Sequence, residues 1–250
     1  YPSIIRTFCI DPLGLALGLS DECPEGETVE GYVGGRFARR GHILPAVIKA
    51  LWQQRDQAKS VGDEPLSQAI KIIMNSFYGV LGTPGCRFFD SRLASSITLR
   101  GHQILGRTRD YIESRGHRVI YGDTDSVFVW IQDATSDAAA VSAGQCLESD
   151  LNAWWQAQVR EEFQLESALE VQFETHYKRF LMPTVRGSDK GSKKRYAGVV
   201  ETRGGDRLIF KGLETVRTDW TRLAREFQEE LYRRIFMQQD YADYVKALTA

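Results

Sequence analysis

Tyr121-Gly122-Asp123-Thr124-Asp125-Ser126 sits between two short β-branched and aromatic runs, Arg118 to Tyr121 and Val127 to Ile131. Such runs on either side of Gly and Asp read as a β-hairpin with the aspartates at its tip. If the chain stays extended there, side chains two apart share a face, and the two carboxylates point the same way. Two negative charges so close repel, and a cation that neutralises them is the natural way to keep the pair. Mg²⁺ fits this donor set, because it takes one or two protein carboxylates, keeps waters and completes its octahedron with substrate phosphate. Phosphoryl or nucleotidyl transfer is therefore the chemistry this tip suggests. An Asx-type turn, in which the aspartates only cap backbone N–H groups, has the same local sequence.

The rest of the chain limits the choices. It has 250 residues, 42% hydrophobic and 26% charged, which is ordinary globular composition and argues against disorder. A formal net charge of −1 gives no general attraction for nucleic acid, so such a partner needs a local basic surface. Cys9, Cys23, Cys86 and Cys146 are scattered with no C-x-x-C pair, and the four histidines are equally dispersed, so neither zinc nor a disulfide framework is indicated. A reducing cytosol is expected. No apolar run approaches the roughly 18 residues of a membrane span, so no membrane partner is expected. The chain opens on Tyr1-Pro2-Ser3-Ile4-Ile5, and a fragment of a longer protein is expected.

Residues 1–40 carry little periodic pattern. From His42 to Ser60 it becomes helical, with Leu44, Ile48 and Leu51 in one stripe that Arg55 and Lys59 continue. A stripe that turns basic has left the core for a polar cleft or for solvent. Val61 to Pro65 reads as a turn, and a second helix is expected from about Leu66 to Tyr78. On it Lys71, Asn75 and Tyr78 share one face, while Ile70, Ile73, Met74 and Phe77 form the packing face. In an antiparallel hairpin turning at Asp63, Arg55 and Lys71 stand at the same level, a cluster of the size of a triphosphate. A solvated hairpin with surface cations has the same pattern.

Asp90 is expected to cap a long helix to about Arg115, packed through Leu93, Ile97, Ile104, Leu105 and Ile112. Ser136 caps another to about Phe163, whose Trp154 and Trp155 read as core. Strands are expected where Leu169, Val171 and Phe173 alternate with polar residues, then over Phe180 to Val185, Lys194 to Val200 and Leu208 to Lys211, before an amphipathic helix over Thr221 to Gln239. Lys190 to Tyr196 is the densest basic run, and on a strand Lys194 and Tyr196 share a face that can hold a sugar-phosphate path.

Taken in order, these stretches resemble the family B DNA polymerases. Tyr1-Pro2-Ser3-Ile4-Ile5 is similar to the end of that family's S-L-Y-P-S-I-I motif, Lys71 to Gly79 to K-x-x-x-N-S-x-Y-G, and Tyr121 to Ser126 to Y-G-D-T-D-S. Lys194-Arg195-Tyr196 is similar to its K-x-Y element, and Phe210 to Trp220 to the stretch leading into the thumb. Phe88-Phe89-Asp90, Asn152 to Trp155 and Arg179 to Pro183 resemble bacterial members. The resemblance implies an α+β fold: a palm with an antiparallel β-sheet packed by helices, a helical-hairpin fingers insertion and the start of a helical thumb. Residues 1–41 and 86–215 would be palm, 42–85 fingers and 216–250 the start of the thumb.

It also implies template-directed DNA synthesis from dNTPs on a primer-template, with two Mg²⁺ ions as cofactor. Asp125 would bridge the metals and Asp123 would be a weaker or indirect ligand. Arg55, Lys59, Lys71 and Asn75 would hold the triphosphate, Tyr1 would be the steric gate against a ribose, and Tyr78 would support the nascent base pair. Lys194, Arg195 and Tyr196 would grip the duplex. The family's first motif begins with an aspartate upstream of Tyr1, so these 250 residues alone are expected not to extend primers. A sliding clamp would be met through sequence past Ala250. The alternatives are a catalytically silent polymerase-like DNA-binding subunit, or another palm-type nucleotidyltransferase lacking the fingers helix.

Overall fold

The computed structural model describes residues 1–249 except Glu25, Val185, Arg186, Ser188, Asp189, Lys190 and Lys193. In chain order the elements are α1 (Pro2–Thr7), α2 (Pro12–Gly18), β1 (Thr28–Glu30), β2 (Arg36–Ala38), α3 (Leu44–Ser60), α4 (Glu64–Leu81), α5 (Ser91–Ser114), β3 (Arg118–Asp123) and β4 (Ser126–Trp130). They continue as α6 (Asp137–Phe163), β5 (Arg179–Leu181), β6 (Tyr196–Thr202), β7 (Gly205–Lys211), a 3₁₀ turn (Glu214–Val216), α7 (Arg222–Phe236) and α8 (Ala242–Thr249). Every strand pairing is antiparallel, in sheets β1-β2, β3-β4 and β5-β6-β7. The chain divides into two compact units, one made of Tyr1–Gln132 with Cys146–Gln172 and the other of Asp133–Gln145 with Phe173–Ala250.

In the first unit the segment without periodic pattern folds into two short helices. Each has proline in its first turn, where the missing N–H costs nothing. Neither is long enough to repeat a helical stripe. Ile5, Phe8 and Ile10 are buried as a contiguous cluster. Asp11 follows at 1% exposure and caps two helices at once. One carboxylate oxygen accepts from Gly14 N at 2.7 Å, and the other from Ile43 N at 3.1 Å and Leu44 N at 2.7 Å. The second helix so capped is α3, whose own N-cap residue, Ile43, makes no side-chain cap.

Helices α3 and α4 pack as a hairpin. Gly62 takes the turn at φ +74°, and Asp63 accepts from Leu66 N at 3.0 Å. Small buried side chains, Ala58 and Ser67, lie next to the turn. Ile48, Ile70, Met74 and Leu81 join the core, with Leu44, Leu51, Phe77 and Tyr78 packed partly against it. Ile73 does not; it is 49% exposed. At 100° per residue the arc from Ile70 through Leu81 to Met74 is the buried one, and Ile73 lies about 60° outside its Ile70 edge. The helix also runs to Leu81, beyond the expected end at Tyr78.

Helix α5 begins as its sequence demands, with Asp90 accepting from Arg92 N at 2.9 Å, and Leu93, Ile97 and Ile112 are fully buried on it. Ser136 caps α6 through Ala139 N at 3.2 Å. Trp155 is core, with its indole N–H donating to Thr108 Oγ1 at 3.0 Å. Arg100, 5% exposed, donates to the Glu30 carbonyl and Gln103 at 2.6 Å, and lies over the rings of Phe8, Tyr32 and Phe163. A buried cation is tolerated there because its donors and its planar face are both occupied.

Residues 169–174, expected as a strand, form none. Their alternation is real, since Leu169 and Val171 pack against buried clusters, but the backbone partner is a side chain. Val171 N donates to Asn152 Oδ1 at 2.8 Å and Val171 O accepts from Asn152 Nδ2 at 2.8 Å. One amide of α6 imitates a strand neighbour, and the ladder goes no further.

The second unit holds the sheet β5-β6-β7 against α7 around Ala197, Val199, Leu213, Tyr232 and Phe236. Strand β5 ends at Leu181, and Val185 and Lys190 of the expected elements lie outside the described residues. Strand β6 begins only at Tyr196, because Lys194 has φ +60°. Lys194 and Tyr196 therefore do not share a strand face as expected. Glu214 closes this unit: burial pushes its carboxyl up, but hydrogen bonds from Gln228 and Arg195 and the charge of Arg195 outweigh burial and hold it below the usual carboxylate range. A depressed folded value stabilises above the ordinary Glu value of about 4.3 and is lost as pH falls through the folded one. The melting temperature of wild type minus that of Glu214→Gln should therefore be constant near neutrality and shrink below about pH 4; a gap that widens on acidification would refute this.

Candidate active site

Strands β3 and β4 pair Arg118↔Trp130, Val119↔Val129, Tyr121↔Phe128, Gly122↔Val127 and Asp123↔Ser126, with an irregularity between Val119 and Tyr121. Only Thr124 and Asp125 remain to turn the chain. Asp125 N donates to the Asp123 carbonyl at 2.5 Å across Thr124, which sits at φ +51°. This is the rare positive-φ form of the γ-turn, and a β-branched residue adopts it at a cost of about 1–3 kcal/mol. Asp123 is thus the last strand residue and Asp125 belongs to the turn. The expectation that they share a strand face does not apply, because the chain is not extended between them. Thr124 Oγ1 donates to Asp123 Oδ1 at 3.1 Å; Asp125 is exposed.

The charge of Asp125 reaches Tyr1. Burial raises the Tyr1 phenol above its ordinary value, and Tyr78 and then Asp125 raise it further by their charge. The Tyr1 and Tyr78 rings lie 4.4 Å apart between centroids at 38°. Tyr78 is fixed from behind by a 3.0 Å hydrogen bond between its hydroxyl and Thr98 Oγ1. Gly101 lies against Tyr1: a Cβ there would make ordinary contact with the Tyr1 ring at 3.8 Å. Thr98 and Gly101 are the neighbours that the sequence pattern concealed, since on α5 they read only as part of a long core helix.

Three separate stretches of sequence thus converge on one place, through Tyr1 before α1, Tyr78 on α4 and Asp125 at the hairpin tip. Along α3 and α4 run Arg55, half-buried, and Lys59, Lys71 and Asn75, all exposed. Among the described residues none of the three cations makes an ion pair, and Arg55 Nε is buried without a hydrogen-bond partner. No ion pair among the described residues joins Asp125 to Arg55, Lys59 or Lys71.

Lys194, Arg195 and Tyr196 lie in the second unit. Lys194 is exposed, Arg195 is paired with Glu214, and the Tyr196 ring packs against Phe180 and Tyr177. Lys193, between Ser192 and Lys194, is outside the described residues.

The sequence model described as DNA polymerase family B matches residues 36–249. The chain belongs to DNA polymerase family B. It is 57% identical over 246 residues to DNA polymerase II of Escherichia coli (strain K12), covering 98% of this chain and 31% of that protein. It is 30% identical over 259 residues to a DNA polymerase of Thermococcus gorgonarius, covering 98% of this chain and 30% of that one. In fold it is similar to the family B DNA polymerase of the hyperthermophilic archaeon Pyrobaculum calidifontis, with a TM-score of 0.60 and 27% identity over 92% of this chain and 27% of the other. The mixture of helices and small antiparallel sheets is therefore that of a family B polymerase. The chain spans a little under a third of the length of the curated relatives it matches. No helix among the described residues is long and apolar enough to cross a membrane.

Proposed function

We propose that these residues are the nucleotide-binding and metal-binding part of a DNA-directed DNA polymerase, which adds dNTPs to the 3′-hydroxyl of a primer-template. The observation that carries this is the Tyr1–Tyr78 ring pair within reach of the Asp125 charge, one residue from each of the three polymerase motifs. Residues 1–41 and 86–215 act as palm, 42–85 as fingers and 216–250 as the start of the thumb. The protein works in the bacterial cytosol.

Asp123 and Asp125 offer oxygen donors only, at the tip of a solvent-facing turn, which suits a hard divalent ion that keeps waters and substrate oxygens. Two Mg²⁺ ions are the proposed cofactor, which Asp125 and, more weakly, Asp123 would hold. When bound they lower the charge on the primer 3′-oxygen and on the leaving pyrophosphate. The chain's own residues do the rest. Lys71, Lys59 and Arg55, which make no ion pair among the described residues, offset the phosphate charge that grows in the transition state. Asn75 adds a neutral donor on the same face. Tyr1, backed by Gly101 and Tyr78, presents a flat ring to the sugar, where a 2′-hydroxyl has no room. Tyr78, held by Thr98, supports the new base pair. Lys194, Arg195 and Tyr196 form the segment that meets the duplex.

Steady-state primer extension by the full-length polypeptide tests the reading. Lys71→Ala should lower kcat/KM for dNTP by about 10²–10³, the usual loss for one preorganised charge donor, while primer-template affinity stays near wild type. Duplex binding without any Mg²⁺-dependent extension by the wild type would support the silent DNA-binding subunit instead.

A further inference from the structure

The segment Lys194-Arg195-Tyr196 carries two cations side by side, yet their surroundings differ. Lys194 is exposed. The Arg195 guanidinium is bonded to Glu214 Oε1, and Glu214 is in turn only 14% exposed along its side chain. The other Glu214 oxygen accepts from Gln228 Nε2 at 2.7 Å, and Gln228 Oε1 accepts from Thr215 N at 2.9 Å. Arg195 Nε is buried with no partner among the described residues, so a phosphate cannot reach it. A second tie holds the backbone of the same segment. Gly212, at φ +60°, passes so close to Lys194 that any Cβ on it would collide with the Lys194 carbonyl.

We infer that Arg195 is a positioning residue, held by Glu214 and Gln228, that sets the backbone of the duplex-binding segment against α7, and that it does not neutralise a phosphate itself. Lys194 and Tyr196 are then the contacts, and Glu214 and Gln228 join the set of residues on which DNA affinity depends although they touch no DNA. The chemistry favours this. A guanidinium bonded to a largely buried carboxylate must lose that partner before it can serve a phosphate, leaving Glu214 as an uncompensated charge.

This inference rests on the polymerase reading for its DNA readout. The test measures primer-template affinity of the full-length polypeptide against KCl concentration, with melting curves for each variant. Each phosphate neutralised by the protein contributes about 0.9 to the slope of log K against log salt. Lys194→Ala should reduce the slope by about one. Arg195→Ala should weaken binding roughly three- to tenfold with the slope unchanged. Glu214→Gln is the sharper case, since it adds a net positive charge: binding should weaken by a similar factor, whereas a released phosphate-binding arginine would tighten it and steepen the slope. The swapped pair, Arg195→Glu with Glu214→Arg, should recover affinity over either single variant, and should recover melting temperature if a single variant is too unstable to assay. A slope reduced by about one in Arg195→Ala, or tighter binding by Glu214→Gln, overturns the inference. A wild type that binds no duplex and extends no primer defeats the polymerase reading, and the melting temperatures of the swap still decide whether the network exists.

Discussion

Asp125→Asn in the full-length polypeptide should lower kcat/KM for primer extension by at least about three orders of magnitude, because metal charge stabilisation supplies several kcal/mol at the transition state and each 1.36 kcal/mol is tenfold. Asn keeps the size and one oxygen of the side chain and removes the charge, so the substitution isolates electrostatics. Folding should be unaffected: Asp125 is exposed and forms no hydrogen bond through its carboxylate among the described residues, and surface changes of this kind stay within about 0.5 kcal/mol. Asp123→Asn should cost less, as the proposed weaker ligand, and its amide oxygen can still accept from the Thr124 hydroxyl. The measurement is steady-state extension with Mg²⁺ as the only divalent ion, beside a melting curve. Residual activity within tenfold of wild type would remove Asp125 from the metal site and with it the proposed mechanism.

How much of this could be read in the chain depended on whether the physics was local. Asp90 and Ser136 cap helices by bonds that span two or three residues, and both helix starts were legible from sequence. The α3–α4 hairpin was equally legible, because Gly62 and Asp63 do their work within the turn itself. Errors arose where a backbone group found a distant partner. The strand expected over residues 169–174 dissolves because Asn152 takes the hydrogen bonds a neighbouring strand would have taken. Lys194 leaves the strand because Gly212 comes up against its carbonyl. At the site, Tyr1, Tyr78 and Asp125 were each visible as motif residues, but Thr98 and Gly101 behind the tyrosines were not: a threonine and a glycine within a long amphipathic helix carry no mark of what packs against them. The γ-turn at Thr124 was also concealed, since threonine is the wrong residue for a positive φ and nothing local announces it.

Asp11 is the clearest case of a distant partner, and the one with the largest consequence for stability. Its carboxylate is almost wholly buried and accepts three backbone N–H groups, from α2 and from the start of α3. Charge-assisted bonds to orphan N–H groups at two helix starts are each stronger than an ordinary cap. Asp11→Ala removes all three and leaves donors at the base of the α3–α4 hairpin without acceptors, at an expected cost of about 3–5 kcal/mol in a domain whose total stability is of order 5–15 kcal/mol. Asp11→Asn should fall between, because one amide oxygen can serve one helix while the NH₂ group faces the N–H donors of the other. The control is Asp63→Ala, which removes one exposed cap bond, to Leu66 N, and should cost about 1 kcal/mol. Urea unfolding of the three variants ranks them. If Asp11→Ala costs no more than Asp63→Ala, the double cap contributes nothing beyond a surface one, and the α3–α4 hairpin that carries Arg55, Lys59 and Lys71 must be held by apolar packing of Ile48, Ile70 and Met74 alone.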